Sequence, residues 1–237
     1  MDRRRENPMT DVYFWDNHRG YWDHSTLLRA LEGRLGLPAR FPGFRIVDAL
    51  PAEGGVVVVP GGTFRGNGPK IGAAILAMPW ALTVVVSDEE FAFPLETIPV
   101  DDRHALWTQH VYPGPARRRI GCGVPEPIAL AAPTVEGLVP SFAFSFVGQT
   151  PTAVRRELVE RFGDDPAGMV RATSGFAQGV GPQEYAETIA RSRMVLCPGG
   201  YMADSFRLHE TLEIGRLPVA WNRRYYADLY PNAPFPV

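Results

Sequence analysis

The stretch Ser192-Arg-Met-Val-Leu-Cys-Pro-Gly-Gly-Tyr201, followed by Asp204-Ser-Phe-Arg-Leu-His-Glu-Thr-Leu212 and Gly215-Arg-Leu-Pro-Val219, reads as strand, glycine loop, helix and strand. Met194–Cys197 is a short, unbroken apolar run, as expected of a strand buried on both faces of a parallel sheet. The residues from Glu184 supply the helix before it. Asp204 or Ser205 is placed to cap the next helix, Gly215 to end it, and Pro218 to open the following strand. Strand, turn, helix, strand is the βαβ pattern.

The same pattern extends in both directions. Val12–Trp15, Val56–Val59, Leu82–Val86, Phe142–Val147 and Pro218–Trp221 are further apolar runs. Between them lie helical spacings: Leu27, Leu28, Leu31 and Leu35 share one face, and Val154, Leu158 and Phe162 share another. The fold class is α/β. Gly121–Pro140 breaks the rhythm with Pro125, Pro127, Pro133 and Pro140, and reads as a linker. The expected division is an N-terminal α/β domain over 1–126 and a C-terminal one over 137–237.

The chain has 237 residues, 45% of them hydrophobic and 21% charged, which suits a packed core and excludes a largely disordered protein. Twenty-four basic against 26 acidic residues leave a net charge of -2, so no global field attracts a polyanion and nucleic-acid binding is not expected. Cys122 and Cys197 are too few for a disulfide framework or a thiolate metal site. The basic start Met1-Asp-Arg-Arg-Arg-Glu6 lacks the apolar stretch of a signal peptide, and no run approaches the roughly 18 to 20 apolar residues of a membrane span. The expectation is a reduced, cytoplasmic protein without a membrane span.

The chemistry concentrates at Pro198-Gly199-Gly200-Tyr201. This loop follows the carboxyl end of a strand, where open α/β sheets bind ligands. The helix after it offers free N–H groups and a dipole that favour an anion. Arg207 in its first turn adds a possible bidentate phosphate contact, and Glu210 lies a turn deeper, placed to accept from ribose hydroxyls. A plainer reading stays open. Ser205 merely caps, Arg207 pairs with Glu210 at i,i+3, and the glycines only turn the chain.

The order of residues over 184–221 resembles the donor-site segment of exostosin-like glycosyltransferases. Phe146-Val-Gly148 with Arg155, Arg156 and Leu158 is similar to that family's opening strand, turn and basic helix. The resemblance implies a GT-B fold, with two Rossmann-like parallel-sheet domains facing a cleft and the nucleotide sugar held mainly by the C-terminal one. It implies that Ser205 and Arg207 contact the donor phosphates, that Glu210 holds the ribose, that the turn at Gly148 lets backbone approach the diphosphate, and that Gly199 and Gly200 belong to the donor site. Arg155 or Arg156 would neutralise charge on the departing diphosphate, where negative charge builds in the transition state. Read from the residues alone, the two arginines equally suit a solvated face paired with Glu157 and Glu160. The family implies no obligatory metal and no cofactor beyond the donor. The chain ends at Val237, soon after the Pro218 strand, so the expected C-terminal domain is short or truncated. Animal exostosins carry a membrane anchor, whereas none is expected from this sequence.

An inverting transfer needs a base for the acceptor hydroxyl. Asp88, Glu89 and Glu90 follow the Leu82–Val86 strand, and adjacent carboxylates raise one another's pKa. Asp88 and Glu89 are the candidates, although these acids also suit the start of a helix through 91–96. Pro60–Gly68 is a second glycine-rich loop, but its spacing fits neither a P-loop nor a dinucleotide fingerprint. Asp16, His18, Asp23 and His24 sit among Tyr21 and Trp22 and suit an aromatic, polar cleft wall for sugar binding better than a metal site. His104 and His110 flank Trp107 on an apparent strand and read as core or cleft lining. The nucleophile elbow of a serine hydrolase is absent. The expected function is transfer of a sugar from a nucleotide-diphosphate donor to a hydroxyl of a glycan or cell-surface polymer precursor. The alternative is a non-catalytic nucleotide- or sugar-binding relative.

Overall fold

A computed structural model describes residues 12–14, 55–60, 70, 72–87, 103–108, 117–119, 121–175, 178–200, 204–221 and 226. The chain forms two compact units, Met1–Ile120 and Gly121–Val237.

The first unit contains strands β1 (Val12–Phe14), β2 (Gly55–Pro60), β3 (Leu82–Ser87), β4 (Ala105–Thr108) and β5 (Arg117–Arg119). They form one parallel sheet in chain order. The valine runs pair in register, Val57 with Val84 and Val58 with Val85. β-branched residues favour the extended, pleated backbone. A helical stretch over 72–76 leads towards β3, and the Arg103 guanidinium donates to the carbonyls of Leu76 at 3.4 Å and Met78 at 3.2 Å just beyond its end. Terminal carbonyls of a helix lack partners within it, and a cation complements their dipole. β5, with three consecutive arginines, has no apolar run to announce it.

The second unit is built on a four-stranded parallel sheet in the order β7-β6-β8-β9. Its strands are β6 (Phe142–Gln149), β7 (Gly168–Thr173), β8 (Ser192–Cys197) and β9 (Leu217–Ala220). The chain starts inside the sheet at β6, steps outward to β7, then returns past β6 to β8 and continues to β9. This is a Rossmann-like arrangement, and the direction of winding reverses between β6 and β8. The described strands of the first sheet show no such reversal.

Helices α1 (Glu126–Ala131), α2 (Ala153–Phe162), α3 (Pro182–Ala190) and α4 (Phe206–Glu213) complete the second unit. β8 is buried on both faces because successive side chains alternate. Leu196 packs with Phe146 and Leu158 of α2, whereas Val195 and Cys197 pack with Ile189 of α3 and Leu208 of α4. Phe144 and Phe162 meet edge to face at 5.6 Å between ring centroids.

Three sequence expectations change. Gly121–Pro140 is no bare linker, since it folds with the second unit. Its Val124, Ile128 and Ala129 pack against Tyr185 and Ile214, with Pro125 capping α1 from outside and leaving the helix's own N–H bonds intact. Helix α2 buries Arg155 with Leu158, while Val154 is exposed, so its inner face is rotated from the one that apolar spacing picked out. β7, an edge strand of alternating exposure, carries no continuous apolar run and escaped the sequence reading.

Candidate functional site

The carboxyl ends of β6 and β8 part at the reversal point, and side chains from two helix amino ends fill the space there. Ser205 is the N-cap of α4, and its Oγ accepts from the Arg207 amide at 3.3 Å. That leaves Asp204, the other capping candidate, for a different task. Its Oδ2 accepts from the Cys122 amide at 2.8 Å and from His209 Nε2 at 2.9 Å, and its Oδ1 accepts from the Ser205 amide at 2.8 Å and from Tyr226 Oη at 3.2 Å. Against a carboxylate, His209 Nε2 carries the hydrogen. Burial opposes the Asp204 charge, but His209 and the two amides outweigh it and hold the carboxyl below its ordinary value. This network fastens the start of α4 to the segment that opens the unit.

From that fixed first turn Arg207 reaches across the carboxyl end of the sheet to β6. Its Nη2 donates to the Val147 carbonyl at 2.6 Å, and the guanidinium carbon lies 4.5 Å from the centroid of the Phe146 ring. The side chain keeps only 7% exposure, yet Nε and Nη1 are buried without a hydrogen-bond partner among the described residues. A cation left this way bears a desolvation cost that an anionic ligand would relieve. The pairing of Arg207 with Glu210 is not what the geometry displays: Glu210 Oε2 instead accepts from Tyr185 Oη of α3 at 2.7 Å. Burial pushes the Glu210 carboxyl above its ordinary value, against the Tyr185 bond and the nearby Arg207 charge. Burial likewise raises Tyr185, with Glu210 adding to it, and pushes the Cys197 thiol up to about 12.

The glycines permit close approach. A Cβ on Gly148 would collide with Arg207 Nη2, and one on Gly200 would stand 3.2 Å from Arg155 Nη2. Arg155, also at 7% exposure, bonds the main chain of Gln149, Pro198 and Gly199. Arg156 points elsewhere: it is exposed and donates to Pro151 O at 2.8 Å and Thr150 O at 3.5 Å in the turn before α2.

The structure therefore brings together Gly148, Arg155, Gly199, Gly200, Ser205 and Arg207 around the reversal point, with Glu210 about one turn further along α4. Arg156 lies apart from them. Asp88, Glu89 and Glu90, the 61–68 loop, His18, His24 and His110 lie outside the described residues. His104 is buried immediately before β4. Sequence reading missed Tyr185 and the Asp204–His209–Tyr226 network. Tyr185 and Glu210 are 25 residues apart, and only the packing of α3 beside α4 joins them. The His209–Asp204 spacing of five residues carried no recognisable signal.

No protein-family model matches the chain, and no curated protein gives a significant match. Among the described residues there is no group of three or more His, Cys, Asp and Glu side chains arranged to hold a metal ion, and no helix long and apolar enough to cross a membrane.

Proposed function

We propose that the chain is an exostosin-like glycosyltransferase that moves a sugar from a nucleotide-diphosphate donor to a hydroxyl of a glycan or cell-surface polymer precursor. Arg207 carries this reading. A buried guanidinium with two unpartnered nitrogens, at the reversal point of a parallel sheet and in the first turn of a capped helix, suits a diphosphate. The missing Cβ at Gly148 admits the Arg207 guanidinium beside β6, Ser205 caps the helix that carries it, and Glu210 has acceptor capacity beyond its Tyr185 bond for a ribose hydroxyl.

In the reaction proposed, Asp88 or Glu89 takes the acceptor proton. The freed oxygen bonds the anomeric carbon, and the carbon–phosphate-oxygen bond breaks with its electron pair leaving on the nucleoside diphosphate. The cation at Arg207 offsets that charge. The proposal extends to a GT-B arrangement, with the second unit as the donor domain and the first as the acceptor domain.

The test is a thermal-shift titration with UDP, GDP, ADP and CDP on the wild type and Glu210→Ala. One nucleotide should stabilise the wild type saturably, by about 2.7 kcal/mol at 100 times its dissociation constant, and the variant far less. No stabilisation of folded wild type by any of the four would remove the donor-site reading. Binding of a nucleotide without turnover of its sugar conjugates would turn it into a non-catalytic relative.

A further inference from the structure

Arg155 and Arg207 are equally buried at the carboxyl end of the same sheet, yet their nitrogens are used differently. Arg207 has two nitrogens without a partner among the described residues. The Arg155 guanidinium donates from Nε to Gly199 O at 3.0 Å, from Nη1 to Gln149 O at 3.2 Å and from Nη2 to Pro198 O at 3.4 Å. Gln149 is the last residue of β6, and Pro198 and Gly199 directly follow β8. One side chain thus joins the two strand ends between which the winding reverses.

We infer that Arg155 is a positioning residue: it sets the spacing of these two strand ends so that an anion reaches Arg207, and it does not itself receive the anion's charge. This rests on the donor-site reading above. The geometry supports it at both ends of the side chain. At its root, Thr152 caps α2 and accepts from the Arg155 amide at 3.4 Å, fixing the turn from which the side chain projects. At its tip, the loop main chain lies directly on the guanidinium, where a Gly200 Cβ would be 3.2 Å from Nη2. The planar fork of arginine serves three carbonyls in different directions at once. A lysine ammonium keeps the charge but is a point donor on a flexible stem and cannot reproduce that span.

Charge and span are therefore separable by experiment. Inorganic pyrophosphate is titrated calorimetrically at low and high salt into the wild type, Arg155→Lys, Arg155→Met and Arg207→Met, with amide hydrogen exchange followed at Gly199 and Gly200. Both Arg155 variants should bind about tenfold more weakly, with unchanged salt dependence and faster exchange of the two glycine amides, whereas Arg207→Met should flatten the salt dependence. Wild-type affinity in Arg155→Lys, or unchanged exchange in that variant, would overturn the positioning role while leaving the donor-site reading in place. Should Arg155→Met fail to fold, Arg155→Lys decides alone, because a charge contact requires rescue and a spacing role requires loss. A wild type that binds neither pyrophosphate nor any nucleoside diphosphate overturns the donor-site reading and this inference together.

Discussion

The side chain of Arg207 occupies the space that a side chain on Gly148 would need. One residue stands at the end of β6 and the other in the first turn of α4, so the absence of a Cβ at one position admits the cation at the other. Gly148→Ala should swing the guanidinium away from Val147 and the Phe146 ring. The expected loss of stability is about 1–2 kcal/mol, because a hydrogen bond from a charged group is given up while a flexible tip moves aside. Diphosphate binding should fall much further. Calorimetric titration beside a denaturant melt separates the two effects, and equal affinity in Gly148→Ala and wild type would show that the close approach is immaterial to binding.

Arg207→Met removes a buried cation that has two unpartnered nitrogens and fills its place with apolar atoms. Loss of the Val147 bond is offset by relief of the desolvation cost of an incompletely satisfied buried cation. The variant should melt at or above the wild-type temperature and lose nucleotide-induced stabilisation. A marked fall in Tm without ligand would identify Arg207 as a structural strut.

Asp204→Ala should be strongly destabilising, by about 3–5 kcal/mol, since it strands His209 and the Cys122 and Ser205 amides in the interior. Asp204 also sets a pH dependence. Its folded pKa lies below the unfolded value of 3.8, so its contribution is present above that value and is lost as pH falls through the lower folded one. Denaturant melts of wild type and Asp204→Asn across the acid range should converge as pH falls. A constant gap would deny the depressed pKa.

Glu210 acts in the opposite sense. Its pKa is raised above 4.5, so its favourable contribution is present below that value and disappears as pH rises through the folded one. Glu210→Gln keeps an oxygen for Tyr185 and cannot ionise, so it should be more stable than wild type at neutral pH, with the gain shrinking towards pH 4.5. Thermal melts over that range test the sign, and a gain that grows on acidification would refute it.

The local pattern around Ser192–Val219 was legible because each signal in it is short-range. Apolar runs name buried strands, Ser205 names a cap, and Gly215 closes a helix by adopting a φ of 73°, which only glycine takes readily. β7 was not legible, because an edge strand covered on one side has no need of a continuous apolar run. Nor was the helix in Gly121–Ala131, since tertiary contact with Tyr185 and Ile214 overrides a proline-rich stretch that propensity alone reads as irregular.

The sequence by itself determined the α/β class, the position of the glycine loop after β8 and the residue types available at the head of α4. Only the tertiary structure decided their employment. It turned Arg155 inward and Arg156 outward, gave Ser205 the cap and Asp204 the histidine, and placed Glu210 against Tyr185 instead of Arg207. Adjacent residues on a helix differ by about 100° in direction, and the partner each one meets belongs to a strand or helix far away in the chain. Spacing along the sequence carries no record of that partner, because it is the winding of the sheet that brings β6, β8, α3 and α4 together.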